Sequence, residues 1–217
     1  MSASNLYLPQ LVADDPDAAR AQQSGSLDGW SQQGFQVQHY WDWFARGEID
    51  LYGGDARAAW ERLHSRWGDF RRSLLPRAQA VYLEAIFLRA RVAVALAARS
   101  THPEAVRLLR HAERDVRRLR GESMPWGDAM AELAAAAVAA ARRDREAARR
   151  HAAAAVDGFR TVEMEQFAAA ARWRLGQLTA GDDGKRLVAE ARSWLESQGT
   201  RDPARMVGML APGAWDD

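Results

Sequence analysis

The feature that most constrains this chain is a helix-start signal that recurs at nearly even intervals. DPDAA (15–19), GDARAA (54–59), THPEA (101–105), RDREAA (143–148) and GKRLVAEA (184–191) each set an acidic or Gly/Pro-bearing break ahead of an alanine-rich run. Asp or Thr at such a break can cap the helix that follows, and Pro is tolerated in a first turn. Taking Ala19, Ala59, Ala105, Ala147 and Ala189 as markers, the separations are 40, 46, 42 and 42 residues. A helical hairpin repeated every ~34–47 residues is the mark of an α-solenoid. Small residues at the markers let the two helices of each hairpin approach closely.

Apolar periodicity between the breaks is helical throughout. Val37, Tyr40, Phe44 and Leu51 mark a helix over about 35–52, and Ala59, Trp60, Leu63, Trp67 and Phe70 mark the next. The run VYLEAIFLRARVAVALAA, within a helix from about 75 to 99, is apolar almost all round, as in a central element. Leu108, Leu109, Ala112, Val116 and Leu119 follow up to Gly121, and then Trp126, Met130, Leu133 and Ala137. Arg143-Asp144 is a tight break, and Gly181 to Gly184 reads as an inter-helix turn. Period-two runs with hairpin turns are absent, so no strand is expected.

The chain has 217 residues, no cysteine and 30 basic against 29 acidic residues. Absence of cysteine excludes disulfides, thiolate metal sites and cysteine nucleophiles. A balanced charge gives no field that would draw nucleic acid or a membrane surface. With a mean hydropathy of −0.43, no apolar run of membrane-spanning length and no secretory signal pattern, a cytoplasmic location is the default expectation. A single lysine, Lys185, leaves 29 arginines, an excess that a GC-rich coding genome explains.

At two places the wording fits a tetratricopeptide signature. Trp43, Gly47, Ala59 and Leu63 stand at its Trp, Gly, Ala and Phe positions, and Leu175-Gly176, Ala191, Leu195 and Pro203 do so again. The expected fold is therefore all-α: a tetratricopeptide-like α-solenoid of four to five antiparallel hairpins in a right-handed superhelix. One domain spans 1–217, with a partial first hairpin at 1–31, repeats at 33–71, 74–121, 125–160 and 163–199, and a C-terminal capping helix at 202–213.

Four blocks extend the likeness: GFQVQHYWDWFARGEIDLYGGDARAAWERL (34–63), SLLPRAQAVYLEAIFLRARVAVA (73–95), SMPWGDAMAELAAAAVAA (123–140) and SWLESQGTRDPARMVGMLAPG (193–213). In this order they resemble the helical-repeat region that follows the kinase domain in large bacterial serine/threonine protein kinases. That resemblance implies a non-catalytic region that binds partners or senses a signal. The kinase motifs themselves are missing from this chain: it has no Gly-rich loop with a strand lysine, no HRD-type loop and no DFG. It reads as a segment of such a kinase or as a stand-alone relative of its tail.

Other chemistry is sparse. Histidines at 39, 64, 102, 111 and 151 form no HExxH and no i, i+3 or i+4 pair, so no metal site and no cofactor is expected. Arg107, Arg110, Arg114, Arg117 and Arg118 form a stripe that could hold an acidic partner, but a solvated outer helix explains it better. Arg77, Glu84 and Arg91 recur every seven residues along the apolar helix. Unpaired burial of such charges would cost several kcal/mol, so they either pair internally or line a groove. Among the clustered aromatics, helical spacing cannot place Tyr40, Trp41, Trp43 and Phe44 on one face. Gln38, His39 and Trp41, with Trp126 further on, are left as groove candidates, the alternative being packing against a neighbouring repeat.

The expected function is thus a non-enzymatic module that presents Gln38, His39, Trp41, Arg77, Glu84, Arg91 and Trp126 to a protein or peptide partner. The competing reading is a pocket in the same groove that takes a small molecule or a substrate. A third is a self-associating scaffold.

Overall fold

The computed structural model describes residues 7–31 and 33–215. Among them are eleven α-helices and no strand. They are α1 (Leu8–Val12), α2 (Pro16–Gln23), α3 (Val37–Tyr52), α4 (Ala56–Arg72), α5 (Gln79–Ala97), α6 (His102–Gly121), α7 (Pro125–Ala141), α8 (Arg145–Thr161), α9 (Glu165–Leu178), α10 (Gly181–Ser197) and α11 (Pro203–Leu210). Residues 1–6, part of the expected first hairpin, lie outside the described residues.

Three of the five recurrent breaks, and the start of α11, carry a side-chain helix cap, whereas Thr101 makes no such bond and the motif at 184–191 lies inside α10. Asp15, Asp55, Asp144 and Asp202 each accept a hydrogen bond from the backbone N–H three residues on, at 2.8–3.0 Å. Each such cap stabilises its helix by about 1 kcal/mol. The turns before α2, α7, α8 and α9 hold Asp14, Ser123, Arg143 and Glu163 in the left-handed region, with φ between 51° and 62°. That conformation costs an L-residue about 1–2 kcal/mol, and the turns at 14, 143 and 163 reverse the chain within three or four residues.

Three expectations need correction. DPDAARAQQSGSLDGW (15–30), which reads as the second helix of the partial first hairpin, is helical only to Gln23, after which come turns centred on Gly25 and Gly29, both with φ of 78°. Residues 75–77 form a separate 3-10 turn, Ala78 after it is extended with ψ of 104°, and α5 starts only at Gln79. Gly181 to Gly184 is not a loop but the first turn of α10.

Consecutive helices pack on one another from α3 to α10, and α5 also touches α3, α4 and α7. This makes α5 the central element, with Leu83, Ile86, Phe87, Leu88, Val92 and Val94 all buried. Each such large side chain contributes about 1.5–3 kcal/mol. Gly47 in α3 is there for close approach: a Cβ would come within 3.2 Å of Leu88 and 3.6 Å of Leu63. Gly176 in α9 lies tighter still, a Cβ meeting the Gly184 carbonyl oxygen at 2.7 Å.

The C-terminal helix is the other organising element. α11 leaves α10 and returns to pack against α3 and α9, burying Met206, Val207, Met209 and Leu210. The Arg201 backbone N–H donates to the Val12 carbonyl at 2.9 Å, and Arg205 reaches both Asp14 (2.9 Å) and the Tyr52 carbonyl (3.0 Å). Both ends of the described chain therefore meet beside α3.

Candidate functional site

Where α11 closes on the other helices it leaves a cavity of about 160 Å³. Its polar part is built from three helices. Tyr40, Phe44 and Glu48 stand four residues apart on α3 and so share one face. Glu84, Phe87 and Arg91 do the same on α5 at intervals of three and four. α11 supplies Met209 and Leu210, and Tyr7 and Leu8 come from the N-terminal end. Met130, Met164, Gln166 and Phe167 complete the wall from α7 and the start of α9.

Arg91, only 4% exposed, is the anchor. Its Nη2 donates to Glu48 Oε1 at 2.5 Å and its Nη1 to the Met209 carbonyl at 3.2 Å, while the guanidinium lies over Phe87, 4.9 Å from the ring centre. The Tyr7 hydroxyl donates to the other Glu48 oxygen at 2.6 Å. Glu48 is thereby satisfied on both oxygens, which is what makes its burial tolerable. Burial, then the Glu48 charge and the bond to it, push the Tyr7 hydroxyl far above the ordinary phenol range.

Glu84 is different. It accepts one hydrogen bond from the Tyr40 hydroxyl at 3.1 Å and has no ion pair among the described residues. Burial, with the Glu48 charge adding to it, raises the Glu84 carboxyl above its usual range, and the Tyr40 bond offsets part of that. Two carboxylates and one guanidinium leave this wall one negative charge in excess. On Arg91 itself, Nε is buried and meets no acceptor.

The structure thus brings Glu84 and Arg91 together and separates Arg77 from them. Arg77 is exposed in the 3-10 turn, outside the helix that was expected to carry all three. Gln38 and His39 are buried at the start of α3, not exposed. His39 Nδ1 accepts from the Gln36 backbone N–H at 3.1 Å as part of a capping box, and Gln38 donates to the Gln36 side chain at 2.9 Å. Trp41 is half-buried with its ring edge on Tyr40, 4.9 Å between centres. Trp126 is half-buried against the core near the start of α7.

Most of the other aromatics are seam. Trp43 stacks on Phe70 at 5.5 Å and donates from Nε1 to the Arg62 carbonyl at 3.0 Å, joining α3 to α4. The arginines of the α6 stripe are all exposed. Arg118 pairs with Asp115, itself held bidentately by buried Arg89 at 2.5 and 2.8 Å. The Arg89 guanidinium lies 3.5 Å from the Trp67 ring centre.

Sequence reasoning missed Tyr7, Glu48 and Met209. Glu48 carried a usable signal, an acidic residue in register with Tyr40 and Phe44 on an apolar face; the other two meet the site only through tertiary closure. No group of three or more His, Asp or Glu side chains among the described residues could hold a metal ion. No described helix is long and apolar enough to cross a membrane. Set against family models, curated proteins and solved structures, the chain matches none.

Proposed function

We propose that this chain is a non-catalytic, tetratricopeptide-like segment-binding module, a right-handed superhelix whose concave face is lined by α3, α5, α7 and α9. The observation that carries this reading is the seat of α11. Arg91 and Arg174 hold its backbone through the carbonyls of Met209 and Ala211, while Met206, Met209 and Leu210 sink between the facing helices. A helix that lays apolar residues at i, i+3 and i+4 into a hydrophobic groove is a recurrent mode of peptide recognition. Here the groove holds its own C-terminal segment, so an external partner binds by exchanging with it. The resemblance to the tail of bacterial serine/threonine kinases supports a role in signal sensing, with the exchange as the response.

The test is a labelled peptide of residues 201–215 offered in trans to the full chain. Met209→Asp weakens the internal segment, and the folded variant is expected to take up the peptide at least tenfold more tightly than the unmodified chain. A variant with unchanged helical content that binds the peptide no better would overturn the reading.

A further inference from the structure

The geometry points to the cavity beneath α11 as a binding site for a small organic cation, an ammonium group carrying a short apolar substituent. The charged end is fixed by Glu84. Its carboxylate faces the cavity wall with a single phenolic donor and no cation, whereas the neighbouring Arg91 guanidinium is already committed to Glu48 and the Met209 carbonyl. A carboxylate held among apolar walls gains most from a cation that enters with few waters, since the attraction strengthens as the local dielectric falls. Phe44, half-buried beside Tyr40, lines the same cavity, and an aromatic ring there adds to the attraction for a cation.

The apolar end is fixed by Met130, Met164 and Phe167, which present flexible thioethers and one aromatic ring. Size is bounded by volume. A cavity of about 160 Å³ compares with ~150 Å³ for one that holds benzene, which gives room for roughly six to nine non-hydrogen atoms. Entry is open, because Phe44, Glu84, Met164 and Gln166 all keep partial exposure.

This site does not depend on the segment-exchange reading. The peptide can fail to exchange in trans while the amine still binds.

Three probes are titrated into the full chain at pH 7 by calorimetry: leucinamide, isoamylamine without the carbonyl, and 4-methylpentanamide without the ammonium. Leucinamide and isoamylamine are both expected to bind, and 4-methylpentanamide at least tenfold more weakly than leucinamide. Glu84→Gln keeps the acceptor for Tyr40 and is expected to lower leucinamide affinity at least tenfold, leaving the neutral amide unchanged. Equal binding of the neutral amide and leucinamide, undiminished leucinamide binding by Glu84→Gln, or no heat from either amine up to 10 mM would each overturn the proposal.

Discussion

Arg91 and Met209, 118 residues apart in the chain, are joined by a hydrogen bond from the guanidinium to the main-chain carbonyl. The same guanidinium neutralises Glu48, so one buried side chain ties α3, α5 and α11 together. Removing Arg91 strands Glu48 in the core. Arg91→Met is therefore expected to cost about 3–5 kcal/mol of unfolding free energy. The double variant Arg91→Met/Glu48→Gln should recover more than half of that loss in urea denaturation. An additive double variant would show that the two residues act separately.

Glu84 gives the opposite result. Its carboxyl titrates above the usual carboxylate value of 4.5, chiefly through burial. The folded state then holds the proton more readily than the unfolded chain, so ionised Glu84 weakens the fold at neutral pH. That penalty fades as pH falls through the raised value and is gone below about 4.5. Glu84→Gln is accordingly expected to be more stable than the parent chain at pH 7, with the gap closing towards pH 4.5. Denaturation curves across that range measure it, and a residue kept at a cost to stability fits a binding role better than a structural one.

Two histidines titrate with the reverse sign. His64 on α4 and His111 on α6 lie 5.8 Å apart between ring centres, with Trp60 against both. Burial lowers both, Arg89 adding to the effect at His64 and Arg114 at His111. A depressed folded value means that the unfolded chain binds protons first. Stability from this contact is full above the ordinary value of 6.5 and is lost as pH falls below it towards the depressed values. The double variant His64→Gln/His111→Gln should flatten the fall in melting temperature between pH 7 and pH 5.

Four of the five helix-start breaks, the helical periods and the central place of α5 were legible in the sequence because each is a local consequence of capping or of a 3.6-residue repeat. Asp55 and Asp144 could be assigned as caps or breaks from their neighbours alone. The site was half legible. Glu84 and Arg91 stood out as charges in an apolar helix, but their seven-residue spacing also drew in Arg77, which the extended Ala78 places outside that helix. His39 read as a loose aromatic because a capping role for an imidazole nitrogen leaves no spacing signal. Nothing local foretold that Met209 would arrive at Arg91.

Glycine replacements should separate close approach from spare room. Gly176→Ala drives a methyl against the Gly184 backbone and is expected to cost at least about 1–3 kcal/mol. Gly208, in α11, has nothing within 4 Å of an added Cβ, and Gly208→Ala should stabilise that helix by ~0.5–1 kcal/mol. Thermal melts of the two variants should move in opposite directions.

The return of α11 to α3 also limits how such a chain can change over generations. An open stack of helix pairs can gain or lose a pair at little cost, since each pair leans only on its neighbours. Here α11 must land on α3, with Arg205 meeting Asp14 and Arg91 meeting Met209. Duplication or deletion of any helix pair between them would carry α11 past its seat, so the number of helices between α3 and α11 is constrained by that contact.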